Sequence, residues 1–386
     1  MKNSILNIAF LLFCYLIYSC NSDKAKVNNN KALLIEKKIV HDTIIKCQID
    51  TFLNDYASII SGKEPVKYFR TVYNNDDWKK IQKSIETEWQ YVIVNKVKKI
   101  KPWSDSIIYN VRSGDNLIYP FAGADFLFSN LFFENADSSV LIGLEETGAI
   151  MADTNNIDMF VNHVRKVYKS LYFSNHAGFF RTISMREELN EPELSGTIPI
   201  LLFYISKLGY SISSLKYIVI DSLGNLNCAN TNHPYACQIE YFNTDNKIRR
   251  LFYVKYDLAD YSLTRNNRIL KFFDKFKEPN VLIKSASYLM HKGSFSIIRN
   301  YLINNSHCIL QDDSGIPYRF FNTPDWSINL FGRYSKTIPL FEKSFQLDLK
   351  EAYQNLTVRK LPFSIGYNIN HGEPNLILLT RNKDKF

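Results

Sequence analysis

The stretch NLIYPFAGADFLFSN, residues 116–130, decides how this chain is read. Four residues of an apolar run lead to Pro120. A single glycine, Gly123, then sits between small residues, and Asp125 opens a run whose apolar positions recur at helical spacing. An apolar run bounded by turn formers predicts a strand, and the periodic run after it predicts a helix. Asp125 stands where an N-cap belongs, because its carboxylate can accept from the free N–H groups of the first helical turn. The same carboxylate, next to a glycine turn, is also placed to meet a ligand.

Outward from this stretch the pattern repeats. SSVLIGLE (138–145) is a second strand-like run, NIDMFVNHVRKVYKSLYF (156–173) is amphipathic, and IPILLFYISKLGY (198–210) is helical. KYIVID (216–221) is strand-like. ACQIEYF (236–242) and RRLFYVKYDL (249–258), separated by a turn containing Asp-Asn, predict an antiparallel hairpin. NNRILKFFDKF reads as a helix, PNVLIKSASYL as a strand, SFSIIRNYLINNS as a helix and HCILQDDSG as a strand. LPFSIGYN and NLILLTRN read as closing antiparallel strands. Strands alternating with helices predict an α/β domain: a Rossmann-like, mainly parallel sheet with helices on both faces, plus the added hairpin. Before it, residues 36–103 read as a helical segment. Trp78, Ile81, Ile85 and Trp89 there fall on one helix face as core anchors, and Asp76 or Asp77 is the expected N-cap. No Pro/Gly/Ser linker divides the chain, so 36–386 is read as one domain.

The N-terminus follows different rules. Lys2, the apolar core ILNIAFLLFCYLI and a small residue before Cys20 describe a secretory signal over residues 1–19. Its core is shorter than the roughly 20 apolar residues of a membrane span. Ile17-Tyr18-Ser19-Cys20 resembles the lipobox of bacterial lipoproteins, which implies acylation of Cys20 on both its thiol and its freed amine. More than one acyl chain is what stable anchoring requires. Residues 20–35 then form the lipidated cysteine and a polar tether. The expected location is the bacterial envelope, outer membrane, with the bilayer as partner through the lipid.

The chain has 386 residues, is 46% hydrophobic, and carries 27 Phe and 24 Tyr, enough for a large core. Its 47 basic residues less Lys2 leave 46 against 38 acidic, a net of +8 spread along the chain. The densest run, VNKVKKIK (94–101), fits a solvated helix face, and no nucleic-acid partner is expected of an exported chain. An envelope protein or polysaccharide is the expected partner class. Of the cysteines left after export and acylation, Cys228 and Cys237 flank a short loop and are the first candidates for a disulfide; buried free thiols are the alternative. No second His or Cys pair stands at zinc-ligand spacing near His233, so no metal is assigned.

Three strand ends carry the candidate ligand-binding residues: Gly123 and Asp125; Glu145 and Glu146; and Asp312, Asp313 and Arg319. Glu145 lies 22 residues after Gly123, close to the interval of about 20 in dinucleotide-binding folds. Residues 116–146 thus resemble the opening of a Rossmann-like methyltransferase, in which the acidic residue holds a ribose. The turn has one glycine where that family has several, so the likeness implies the architecture and no cofactor is assigned. Over residues 75–380, YPFAGADFLFSNLFF, VLIGLEETG, ILQDDSGIPYRFF and LPFSIGYN together resemble a set of bacterial secreted or lipid-anchored proteins, a likeness that implies no activity. Glu145 and Glu146 read as a site or as solvated loop carboxylates. Asp312-Asp313-Ser314-Gly315 reads as a turn or as oxygen ligands for a hard cation. No nucleophile elbow occurs. Two functions remain: a lipid-anchored binding or interaction module on a degenerate Rossmann-like fold, or an exported hydrolase using Glu145, Glu146, Asp312 or Asp313. For the anchor, Cys20→Ala is expected to release the protein from the membrane fraction. Unchanged membrane retention, with no acyl mass on the N-terminal peptide, would contradict it.

Overall fold

Strand β1 (Asn116–Tyr119) and strand β2 (Ser138–Gly143) pair in parallel, Asn116 opposite Ser138 through Tyr119 opposite Leu141, with helix α4 (Phe126–Phe133) between them. This is the unit that the quoted stretch predicts. The computed structural model describes residues 49–111, 115–151, 155–177, 196–229, 234–367 and 372–382. The expected signal and tether, Cys20, Cys47 and His233 lie outside them. Residues 49–386 form one compact unit, and among the described residues no helix is long and apolar enough to cross a membrane.

The chain enters this unit through α1 (Thr51–Ile60), capped by Asp50, whose carboxylate accepts from Leu53 N at 3.0 Å. It stops at Ser61-Gly62, where Gly62 takes φ +76°. After a single helical turn at Arg70–Tyr73 comes α2 (Asp76–Val92). Its N-cap is Asn75, not Asp76 or Asp77; both aspartates fall in the first turn, where negative charge complements the helix dipole. Trp78, Ile81, Ile85 and Trp89 are buried as one face. A π-helical turn (Ile93–Val97) joins α2 to α3 (Lys98–Ile107).

Beyond β2 come α5 (Ile157–Ala177) and α6 (Ile198–Lys207), then β3 (Ser211–Ile220), β4 (Leu226–Cys228), β5 (Ala236–Phe242) and β6 (Ile248–Lys255). Two short helices follow, α7 (Asp260–Arg265) and α8 (Arg268–Phe273), then β7 (Asn280–Ile283), α9 (Ser296–Asn305) and β8 (Cys308–Gln311). The chain closes with β9 (Trp326–Gly332), α10 (Leu347–Asn355), β10 (Val358–Arg359) and β11 (Asn375–Arg381). The strands form one sheet in the order β10-β9-β11-β8-β7-β1-β2-β6-β5-β3-β4.

The sheet is evenly mixed, which corrects the mainly parallel expectation. Strands β8-β7-β1-β2-β6 form a parallel block. On one flank β11 runs antiparallel to β8 and β9, and on the other β5 and β3 run antiparallel to β6 and β5. Strand β6 has two roles. It is the return of the predicted hairpin, with Asn246 at φ +55° in the turn, and it is also the edge of the parallel block.

Successive residues of the central strands point to opposite faces, as the pleat requires. Leu117, Tyr119 and Leu141 join one core cluster with Trp78, Phe126, Phe160 and Ile200. Ile118, Val140 and Ile142 join the other with Leu263, Phe273, Ile298 and Leu349. Both faces of the block are therefore covered, which explains its nearly continuous apolar runs.

Other expectations fail for local reasons. LPFSIGYN forms no strand over 361–367; Phe363 and Ile365 are buried, and Phe363 packs edge-on to Trp103 at 5.4 Å. PNVLIKSASYL is a strand only as far as Ile283. Strand β9 was not expected, although Trp326, Ile328 and Leu330 alternate with Ser327 and Asn329 as in a half-buried strand. The Cys228–Cys237 disulfide is not formed; both are free thiols. Strand β3 lies between their strands, with Ile218 opposite Cys228 and Tyr217 opposite Cys237. Two strand spacings are about 9–10 Å, beyond the Cα separation of roughly 7 Å that a disulfide tolerates.

Trp78 is fully buried and its indole N–H donates to Ile59 O at 3.1 Å, tying α2 to α1. Trp78→Ala is expected to lower stability by about 3–5 kcal/mol, measured by denaturant unfolding.

Candidate functional site

The loops that leave the carboxyl ends of β1, β2, β6 and β7 surround one cleft. Each wall follows from its sequence. After Tyr119 the chain turns sharply: Phe121 and Gly123 both take left-handed backbone, at φ +59° and +56°. The N–H groups of Ala122 and Gly123 both donate to Ile142 O, at 2.7 and 3.3 Å, which clamps the turn onto the end of β2. Asp125 then caps α4 through Phe128 N at 3.3 Å.

That carboxylate does more than cap. It accepts from the Tyr119 hydroxyl at 2.8 Å and pairs with the Lys284 ammonium at 2.9 Å, all within the protein. Lys284 comes from the end of β7, and its ammonium lies 4.1 Å from the centre of the Phe128 ring. Burial, and then the Asp125 charge, push the Tyr119 hydroxyl well above its ordinary range. Lys96, delivered by the π-helical turn, approaches the Phe128 ring at 5.6 Å. Burial first, and then the neighbouring Lys284 charge, pull its ammonium down to about 8.

The β2 wall is built on Glu145, only 2% exposed. Its Oε2 accepts from Leu144 N at 3.0 Å, and the Tyr253 hydroxyl donates to Glu145 O at 2.8 Å. Gly143 makes this approach possible. A Cβ there would lie 2.4 Å from Glu145 Oε2 and 2.9 Å from Gly123 Cα, so a side chain would push the β1 turn off β2. Burial raises the Tyr253 hydroxyl strongly, and the Glu145 charge adds to it.

The β6 wall consists of Tyr256, Asp257 and Leu258, with Asp257 bonded to Ala259 N at 3.0 Å and to the Ser262 hydroxyl at 2.6 Å. The β7 wall runs from Lys284 to Ser287, with Leu289 and Phe295 beyond it. Ser285, Ser287 and Tyr288 take φ +53°, +51° and +53°. Non-glycine residues rarely occupy this region, and such backbone gathers where function holds it in place. Phe121 and Phe295 meet edge-on at 5.9 Å, both in the cleft lining.

Of the sequence-stretch candidates, Gly123, Asp125 and Glu145 come together here. Glu146 does not; it points away to an ion pair with Lys255, and its side chain is 51% exposed. Asp312 and Asp313 form the expected turn, with Gly315 N donating to Asp312 O at 3.2 Å, but the turn is buried behind the β7 wall. Asp312 Oδ2 accepts there from Ser285 N at 2.8 Å. Arg319 is exposed and lies over the Phe320 ring at 5.1 Å, outside the cleft lining. Sequence reading missed Lys284, Ser285, Ser287 and Tyr253. Lys284-Ser285-Ala286-Ser287 is a cluster of polar and small residues ending an apolar run, which is a break signal; it was absorbed into a longer strand.

Among the described residues, no group of three or more His, Cys, Asp or Glu could hold a metal ion. No known protein family matches the chain. No curated protein is significantly similar to it.

Asp125→Ala would leave the buried Lys284 ammonium without its carboxylate, and is expected to lower stability by about 3–5 kcal/mol. Lys284→Met in that background should restore part of the loss, because the two sites share one interaction. Additive losses in denaturant unfolding would contradict the pairing.

Proposed function

We propose that this is a lipid-anchored protein of the bacterial envelope whose α/β domain is Rossmann-like and acts as a binding module, with a small ligand seated in the cleft. Numbered in chain order, the parallel strands β1, β2, β6, β7 and β8 stand across the sheet as 3-2-1-4-5. That order belongs to doubly wound folds, which bind ligands outside the carboxyl ends of the strands where the order reverses. Here the reversal falls between β1 and β7. One observation carries the reading: Gly123, Asp125 and Glu145 converge on one cleft at that reversal.

The lining favours a ligand of two chemistries. Phe121, Leu258, Leu289 and Phe295 offer an apolar, partly aromatic wall. Glu145 offers a carboxylate beside the Gly123 turn, the position from which an acidic residue accepts from ribose hydroxyls in dinucleotide folds. A planar apolar group joined to a hydroxylated ring, the chemistry of a nucleoside, fits both. It replaces the polysaccharide or envelope protein as occupant of the cleft. Attachment through Cys20 would hold the module at the outer membrane.

The hydrolase alternative draws less support. Of Glu145, Glu146, Asp312 and Asp313, only Glu145 lines the cleft. Asp312 and Asp313 lie outside the cleft lining and hold its wall from behind through Ser285 N and the Tyr288 hydroxyl. An acid and a base would both have to reach a substrate.

Calorimetric titration of the full chain in detergent with adenosine tests the proposal. Binding is expected, and Glu145→Gln should weaken it about tenfold or more, the range for losing a charge-assisted hydrogen bond. No binding by the wild-type chain, or equal binding by Glu145→Gln, would overturn it.

A further inference from the structure

The β7 wall is held in an unusual way. Four consecutive residues in three left-handed conformations are each fastened by a different polar group behind them. Ser285 N donates to Asp312 Oδ2 at 2.8 Å, Ala286 N to Ser314 Oγ at 2.7 Å, and Ser287 N to the Tyr367 hydroxyl at 3.1 Å. The Tyr288 hydroxyl donates to Asp313 Oδ2. The fastening groups are themselves tied down. Ser314 N and its hydroxyl both donate to Asp312 Oδ1. Asn375 Nδ2 donates to Asp313 Oδ1 at 2.9 Å, and Asp313 N donates to Asn375 Oδ1 at 2.9 Å. The Tyr367 hydroxyl donates to Ser285 O at 2.6 Å.

Left alone, a Ser-Ala-Ser-Tyr segment would abandon left-handed backbone, which costs of order 1–3 kcal/mol for each such residue. The wall therefore keeps its shape only while the Asp312–Asp313 turn holds it. We propose that Asp312 and Asp313 are positioning residues: they fix Ser285–Tyr288 as the wall of the cleft, and they make that wall respond to pH.

The pH response follows from what surrounds the pair. Both carboxylates are buried side by side. The groups facing them are Lys284 at the end of β7, Tyr119 on β1, Tyr288 and His291 after β7, Tyr334 after β9, Tyr353 on α10, and Tyr367. Only Lys284 among these brings a positive charge, and it is already paired with Asp125. His291 is driven down to about 4 by burial and by Arg319, so it stays neutral at higher pH. Burial raises both carboxyls, and the Asp312 charge lifts the Asp313 carboxyl further, to about 7.

The sign is then fixed by linkage. In the closed wall Asp313 titrates near 7; when the wall opens and water reaches it, it titrates in the ordinary carboxylate range near 4. The closed form therefore binds the extra proton between those values. Closure is strongest at the acid end and weakens as pH rises towards 7, by at most about tenfold per pH unit for one proton. Above 7 it levels off.

Hydrogen exchange of the full chain in detergent tests this without any ligand, so its outcome is separate from that of adenosine binding. Rates for the peptide covering Ser285–Tyr288 would be divided by the intrinsic rate at each pH from 5 to 8.5. Protection is expected to fall several-fold between pH 5 and 7 and then flatten, while amides of β2 keep a different profile. Asp313→Asn should abolish the slope. Tyr288→Phe, which removes only the hydroxyl donated to Asp313, should lower protection of the same peptide. A flat wild-type profile overturns the inference even if Asp313→Asn does not fold. So does a slope shared equally with β2, or one retained in Asp313→Asn.

Discussion

The carboxylate of Asp125 is the point at which three separate parts of the sequence are joined. It closes the first turn of α4, takes the hydroxyl of Tyr119 from β1, and neutralises Lys284 from β7. Each of these groups would be costly to bury alone, an unpaired ammonium most of all. Together they satisfy one another in a space closed off by the Phe128 ring. Because β1 and β7 are neighbours at the reversal of strand order, this cluster sets how far apart the two loops stand, and so the width of the cleft floor.

Around that floor the structure spends conformational strain rather than chemistry. Phe121, Ser285 and Ser287, three of the non-glycine residues with left-handed backbone, all line the cleft. Gly143 adds a close approach that no other residue could make. Such backbone is costly and persists only where the surrounding structure holds it, as the clamps on Phe121, Ser285 and Ser287 do here. Lys96 belongs to the same neighbourhood: its π-helical turn inserts an extra residue between α2 and α3 and aims a buried ammonium at the Phe128 ring.

Much of the fold was legible in the sequence because its signals are local. The turn at Gly123, the cap at Asp125, the Trp78–Trp89 face and the hairpin at Asn246 each depend on a few neighbouring residues. What was not legible depends on pairing at a distance. Nothing near β6 says that it joins an antiparallel flank to the parallel block, and nothing near Cys228 says that β3 separates it from Cys237. For the cleft, Gly123, Asp125 and Glu145 at the β1 and β2 ends were legible, since a glycine and an acidic residue mark them at a known interval. The β7 wall was not, because its left-handed residues are held by partners 25 or more positions away in sequence, such as Asp312 on Ser285 and Asp313 on Tyr288. Adjacent acidic residues in a turn suggested a ligand site, whereas burial makes them the support of the cleft wall.

The order of strands has one more consequence. The two outermost strands, β4 and β10, are also the shortest, with three and two residues. An outer strand exposes unpaired N–H and C=O groups that can recruit another chain, and very short ones offer little to grip. The long apolar strands that would be hazardous in that position all sit inside, each with a neighbour on both sides. Such an arrangement leaves a second copy little edge on which to extend the sheet.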